Sequence, residues 1–292
     1  MFEGAMTALI TPFLENGEVD YEGFRANVKH QIEQGINGLL VLGTTGEAPT
    51  LNEEEKEKLI KITVEEGKGK VSIVVGTGTN NTAKTIKDSR KAEQLGADAL
   101  LIVTPYYNKP TNEGLYQHFK MVAESVKIPV IVYNIGGRTG KNIDTPTLKR
   151  IAQLENVVAV KEASGSVAQM NEVIEQIPNI TVLSGDDGLT LPLLALGGKG
   201  VISVISNVIP GQVAELVKHG LNGDFQKARD LHHNLIMPLT NIAFIETNPI
   251  PVKHMCCLVG RAGKGYRMPM CEMTAASREK VEAVMKQLGL TK

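Results

Sequence analysis

Lys161 ends the run NVVAVK at 156–161, one of the most apolar stretches of the chain. An ammonium group placed there loses hydration, which penalises its charged form and lowers its pKa. A neutral amine attacks carbonyl carbons and forms Schiff bases, whereas a solvated ammonium does not. Glu162 follows, but alternation along a strand turns its carboxylate to the opposite side and leaves Lys161 without a neutralising partner. The plainer reading is a lysine that caps a strand and snorkels to water. Lysine at a strand end is more often the plainer case, so the company it keeps decides.

That company is polar and recurs after apolar runs: Thr44 and Thr45 in GTTGE (43–47), Tyr107 in TPYYN (104–108), Tyr133 and Arg138 in YNIGGRTG (133–140), SGDD at 184–187, and Ile202 with Ser203. A tyrosine beside an amine and a hydroxyl chain relays protons; otherwise it packs with its tip in water. Arg138 lies among Gly136, Gly137 and Gly140, a backbone free to carry a fork-shaped cation over a carboxylate or into a surface ion pair. The Thr44–Thr45–Gly46 turn offers hydroxyls and amides ahead of a helix, which makes a carboxylate seat or a plain N-cap. Other residues point away from metal, nucleotide and flavin. The six histidines (30, 118, 219, 232, 233, 254) show no ligand spacing. Asp186 and Asp187 read as turn formers or caps, and Cys256–Cys257 as core.

These residues need elements to bring them together. Short apolar, β-branched runs occur at 5–10, 38–42, 71–75, 99–103, 130–133, 157–160, 180–183 and 200–204, near-continuous as in strands buried on both faces. Each is followed by a Gly/Thr/Ser/Pro/Asn loop and an amphipathic helical pattern, as at 21–34, 53–66, 83–95, 115–125 and 166–177. Gly35, Gly67, Gly96 and Gly220 stand where helix C-caps want a left-handed residue. Eight strand–helix units predict an α/β fold, a closed (β/α)8 TIM barrel, whose active groups gather at the C-terminal ends of the strands. The rival is an open doubly wound sheet, but its nearest dinucleotide turn, GTGTN at 76–80, lacks the third glycine. Beyond Asp224 helical patterns dominate, which predicts a barrel over 1–224 and a small C-terminal α-helical domain over 225–292.

With 292 residues, 42% hydrophobic and 22% charged, the chain has material for a large core. A formal net charge of −1 gives no general field for nucleic acid or anionic lipid. No segment has the length and purity of a membrane span, and the opening MFEGAMTALI carries an acid where a secretory leader carries bases. Three cysteines, an odd number without metal-type spacing, fit reduced thiols and a cytoplasmic location.

Taken together, GTTGE (43–47), VTPYYNKPT and EGLYQHF (103–119), YN and GRTG (133–140), VKEASG (160–165), LSGDD (183–187), GGKGVISV (197–204) and FIETNPIPVK (244–253) resemble the 4-hydroxy-tetrahydrodipicolinate (dihydrodipicolinate) synthase family over essentially the whole chain. The resemblance implies a (β/α)8 barrel with a C-terminal helical domain, a homotetramer built as a dimer of dimers (a homodimer is the alternative), and condensation of pyruvate with L-aspartate 4-semialdehyde in lysine and diaminopimelate biosynthesis. It implies Lys161 as Schiff-base lysine and Tyr133, Thr44 and Tyr107 as proton relay, with Tyr107 supplied by a neighbouring subunit. Thr45 would hold the pyruvate carboxylate, Arg138 the carboxylate of the aldehyde, and the main chain near Gly185 and Ile202 would line the pocket. No cofactor is implied, because the iminium itself is the electron sink.

Two departures from the family pattern stand out. Gly136 occupies a position where many members carry proline, which removes a φ restraint ahead of Arg138 and adds a backbone donor. Asn80 and Tyr106 match the site at which lysine inhibits some members, but the inhibited type tends to carry histidines at the positions of Glu53 and Lys56 and an acid at that of Lys84. A cation at Lys84 repels the ligand's ammonium, so weak or absent lysine inhibition is expected. The nearest rival reading is another Schiff-base barrel acting on sugar acids, such as an N-acetylneuraminate lyase; Arg138 in GRTG and the Tyr106–Tyr107 pair favour the synthase pattern. A non-catalytic barrel that only senses a keto acid is disfavoured by the intact Lys161, Tyr133, Thr44 and Tyr107.

Overall fold

The structure, a computed structural model, describes residues 2–292. Eight parallel strands close in sequence order into a barrel. They are β1 (Gly4–Ala8), β2 (Gly38–Val41), β3 (Ser72–Gly76), β4 (Ala99–Val103), β5 (Val130–Asn134), β6 (Val157–Glu162), β7 (Thr181–Ser184) and β8 (Gly200–Ser203). The helices α1 (Tyr21–Glu33), α2 (Glu53–Gly67), α3 (Thr82–Gln94), α4 (Asn112–Ala123), α5 (Gly136–Thr139), α6 (Thr145–Ile151), α7 (Val167–Gln176), α8 (Thr190–Ala195) and α9 (Pro210–Leu221) occupy the crossovers and the return from β8. The predicted fold class is the observed one.

The apolar runs become strands because both their faces are covered. Ala159, Tyr133, Leu183, Ile202, Leu40 and Met6 belong to a cluster filling the barrel interior. Val160, Val132, Val201 and Leu39 belong to a second cluster shared with the helices outside. Successive residues of one strand thus enter different cores, as the period of two requires. Closure happens between β1 and β8, where Gly4 pairs with Gly200 and Thr7 with Ser203. A side chain on Gly200 would place its Cβ 1.9 Å from the Gly4 carbonyl oxygen.

Helix starts are fixed chemically. Asp20, Asn81, Thr111, Asp144 and Ser166 each accept a backbone amide from the first turn of the following helix. Asn52 and Glu55 form a reciprocal capping box on α2. Two expected helix stops are corrected. Gly67 and Gly220 lie inside α2 and α9, and the left-handed residues follow at Gly69 (φ 78°) and Gly223 (φ 76°). Gly35 (φ 80°) and Gly96 (φ 98°) do take the left-handed conformation.

After α9 the chain is helical: α10 (Phe225–Leu231), a π-helical turn over His232–Ile236, α11 (Met237–Ala243), α12 (Ile250–Leu258) and α13 (Ala275–Gln287). α11, α12 and α13 pack on one another, and α12 also meets the turn that follows β8. This segment therefore sits over the C-terminal ends of β1, β2 and β8.

Candidate active site

Tyr133 and Lys161 are register partners on β5 and β6. Both point inward, one layer above Ile131 and Ala159 of the interior cluster. Lys161 is only 4% exposed, and its Nζ lies 4.4 Å from the centroid of the Tyr133 ring. Burial pulls the Lys161 amine down to about 8, and the same cause pushes the Tyr133 phenol up to about 12. The Arg138 guanidinium pushes the amine further down. The amine therefore holds a far larger neutral fraction near neutral pH than an ordinary lysine, and the phenol stays protonated.

Gly185 makes room for this lysine. A Cβ there would lie 3.0 Å from Lys161 Cε, 3.1 Å from its Cγ and 2.7 Å from Ala163 Cβ. The residue after β7 is glycine because the aliphatic stem of Lys161 fills its side-chain space. Ile202, fully buried on β8, forms part of the interior wall.

The expected isolation of Lys161 needs correction. Glu162 does point to the other side, where Asn134 Nδ2 donates to its Oε2 at 3.0 Å and the Ser164 amide to its Oε1 at 2.6 Å. But Asp187, also buried, raises the Lys161 pKa through space and partly offsets desolvation. Asp187 is fixed by the amides of Val204 (2.9 Å) and Ile205 (3.2 Å). Asp186 is a plain cap that accepts the Gly188 amide at 2.9 Å. Of the two acids, one is a cap as expected and the other is a buried charge that acts on the lysine through space, a distinction the adjacent letters do not reveal.

The β2 loop supplies the hydroxyls. Thr44 lies near enough to the Tyr133 phenol to lower its pKa slightly against the larger effect of burial. Thr45 is buried, and its Oγ1 accepts from Asn248 Nδ2 at 3.0 Å. Arg138, on the single helical turn α5, donates to the Asn248 carbonyl at 3.2 Å. Gly136 begins that turn and its carbonyl accepts the Gly140 amide at 2.9 Å, so the segment keeps helical form without a proline. Asn248 thus joins Thr45 to Arg138, a role sequence reasoning missed; FIETNPIPVK was conspicuous, but no spacing shows a contact 203 residues away.

Tyr107 is not brought to Tyr133 within one chain. It is 88% exposed and left-handed (φ 72°). The four non-glycine residues with positive φ are Leu42, Glu47, Tyr107 and Lys109 among the described residues. Two flank the Thr44–Thr45 turn and two lie in the Tyr107 loop, where strained backbone accompanies functional geometry.

Glu53, Lys56, Lys84 and Tyr106 line one groove of about 830 Å³ between α2 and α3. Asn80 lies beside it, its carbonyl accepting from Asn108 Nδ2 at 2.9 Å. Lys84 pairs with Glu53 at 3.1 Å and Asp88 at 3.0 Å, and Lys56 also reaches Glu53 at 3.4 Å. Among the described residues no group of three or more His, Cys, Asp or Glu is placed to hold a metal ion. Cys256 is buried and Cys257 half-buried.

Residues 1–288 match the model of the dihydrodipicolinate synthetase family. A 4-hydroxy-tetrahydrodipicolinate synthase of Syntrophus aciditrophicus is 50% identical over 291 residues, covering 99% of each chain. The crystal structure of a chloride-inhibited dihydrodipicolinate synthase from Acinetobacter baumannii, complexed with pyruvate, superposes with a TM-score of 0.97 at 40% identity, over 99% of this chain and 100% of that one. A structure described as the first monomeric dihydrodipicolinate synthase variant superposes with a TM-score of 0.96 at 46% identity, over 99% of this chain and 97% of that one.

Proposed function

Because this chain belongs to the dihydrodipicolinate synthetase family, we propose that it condenses pyruvate with L-aspartate 4-semialdehyde to 4-hydroxy-tetrahydrodipicolinate, through a Schiff base on Lys161. The observation that carries the reading is the buried Lys161 amine, 4.4 Å from the Tyr133 ring and with its pKa lowered by burial.

The neutral Lys161 amine adds to the keto carbon of pyruvate, and loss of water leaves an iminium. The iminium draws electrons from the adjacent methyl carbon, so a proton leaves and an enamine forms. The enamine carbon attacks the aldehyde, whose oxygen takes a proton. The amino group of the second substrate then closes the ring on the former keto carbon and displaces the lysine. Tyr133 and Thr44 pass the protons. Tyr107 of a neighbouring chain completes the relay. Thr45, oriented by Asn248, seats the pyruvate carboxylate. Arg138 receives the second carboxylate in its fork, and the main chain at Gly185 and Ile202 lines the pocket.

This assignment places the chain in a homotetramer built as a dimer of dimers. The exposure of Tyr107, a large aromatic held in strained backbone, supports an occupied surface there. A cytoplasmic location belongs to the same reading, as does a division into barrel and C-terminal domain near Asp224. No helix among the described residues is long and apolar enough to cross a membrane.

The test is a coupled assay offering aspartate semialdehyde and sugar acids in turn. Turnover that requires pyruvate plus the semialdehyde is expected. Cleavage of a sugar acid without semialdehyde turnover would contradict it.

A further inference from the structure

Among the described residues one ion pair has both side chains buried: Lys253 Nζ lies 2.8 Å from Glu47 Oε1, with the two side chains 1% and 2% exposed. The partners are 206 residues apart. Lys253 projects from α12 and Glu47 ends the GTTGE loop, so the pair crosses from the C-terminal helices into the barrel mouth. Around it, Lys253 Nζ sits 4.2 Å from the Phe13 ring centroid and 5.0 Å from that of Tyr266. Glu47 Oε2 has no hydrogen-bond partner among the described residues, so Lys253 alone anchors the carboxylate.

The loop needs an anchor. Glu47 holds a left-handed backbone (φ 53°), a conformation a glutamate keeps only when its surroundings fix it. Its amide donates to the Thr44 carbonyl at 3.0 Å, closing the turn that carries Thr44 and Thr45. The other end of the link is equally direct. The Lys253 amide donates to the Pro249 carbonyl at 3.0 Å, and Pro249 follows Asn248, whose side chain donates to Thr45. Thr45 is thus approached from both sides by chain that the pair ties together.

We propose that Glu47 and Lys253 are positioning residues for pyruvate, the pair fixing the Thr44–Thr45 turn against Asn248 so that Thr45 presents its carboxylate seat to the substrate bound at Lys161. The proposal rests on the Schiff-base reading above. A pair that merely locked the fold could be replaced by uncharged groups of similar size at little loss, since removing both charges together leaves neither one uncompensated in the interior. A positioning pair cannot, because uncharged groups lack the directed contact that holds the turn.

The double variant E47M/K253M, apolar at both positions so that no buried polar group is left unpartnered, separates the two cases, with wild-type protein as control. Folding is read by thermal unfolding. Pyruvate occupancy of Lys161 is read by mass spectrometry after borohydride reduction over a range of pyruvate concentrations. The double variant is expected to unfold within a few degrees of wild type and to need at least tenfold more pyruvate for half-maximal labelling. Half-maximal labelling within twofold of wild type would overturn the inference alone. Wild-type protein that takes no label would overturn the Schiff-base reading and this inference with it.

Discussion

Lys161 is set by opposing influences. Burial and Arg138 favour the free amine, and Asp187 favours the ammonium. The balance near 8 has a readable consequence, because only the neutral amine adds to a ketone: adduct formation rises as pH rises through that value. Asp187→Asn removes the one influence that raises it, so the midpoint of the rise should move to lower pH, by up to about one unit. The rate of borohydride-trapped adduct formation against pH measures this. A midpoint that moves upward or stays fixed would show that Asp187 acts only as a holder of the Val204 and Ile205 amides.

At the scale of elements, the site depends on barrel closure. Gly200 allows β8 to meet β1, and a methyl group there would lie 1.9 Å from the Gly4 carbonyl oxygen. Backbone cannot yield as a flexible side chain does, so Gly200→Ala should cost about 3 kcal/mol and lower the melting temperature by about 6–12 °C, as calorimetry would measure. An unchanged melting temperature would mean that the two strands have slack. The strands were legible in the sequence because burial on both faces leaves unbroken apolar runs, and their C-terminal ends gave Lys161, Tyr133 and the threonine turn. Helix ends were less legible: a glycine inside α2 or α9 looks the same as a cap two or three residues later. The contributions of Asn248, Lys253 and Asp187 were not legible, since each depends on tertiary contacts that local pattern does not record. The same contacts bind the C-terminal segment to the site. Lys253 reaches Glu47, and Arg267 grips Glu55 at 2.8 Å and the Thr50 carbonyl at 2.9 Å.

At the scale of the whole molecule, two features look outward. Tyr107 stands in solvent on a single chain, and the proposed relay needs it from a neighbour. Sedimentation equilibrium is therefore expected to give the mass of four chains, and Tyr107→Phe to lower turnover with that mass unchanged. A monomer with full activity would contradict this role for Tyr107. In the groove between α2 and α3 Glu53 is engaged by Lys56 and Lys84, and Lys84 also by Asp88. A free lysine entering it would bring its ammonium close to those of Lys56 and Lys84. Inhibition by lysine is therefore expected to be weak. A steady-state titration showing strong inhibition at modest lysine would contradict the expectation.

The most direct test of the central claim is reduction of the pyruvate-treated protein with borohydride, followed by mass spectrometry of its peptides. One reduced pyruvyl group per chain, on Lys161 and absent from Lys161→Ala, is the predicted result. An unlabelled chain, or a label on another lysine with Lys161→Ala still turning over, would contradict it.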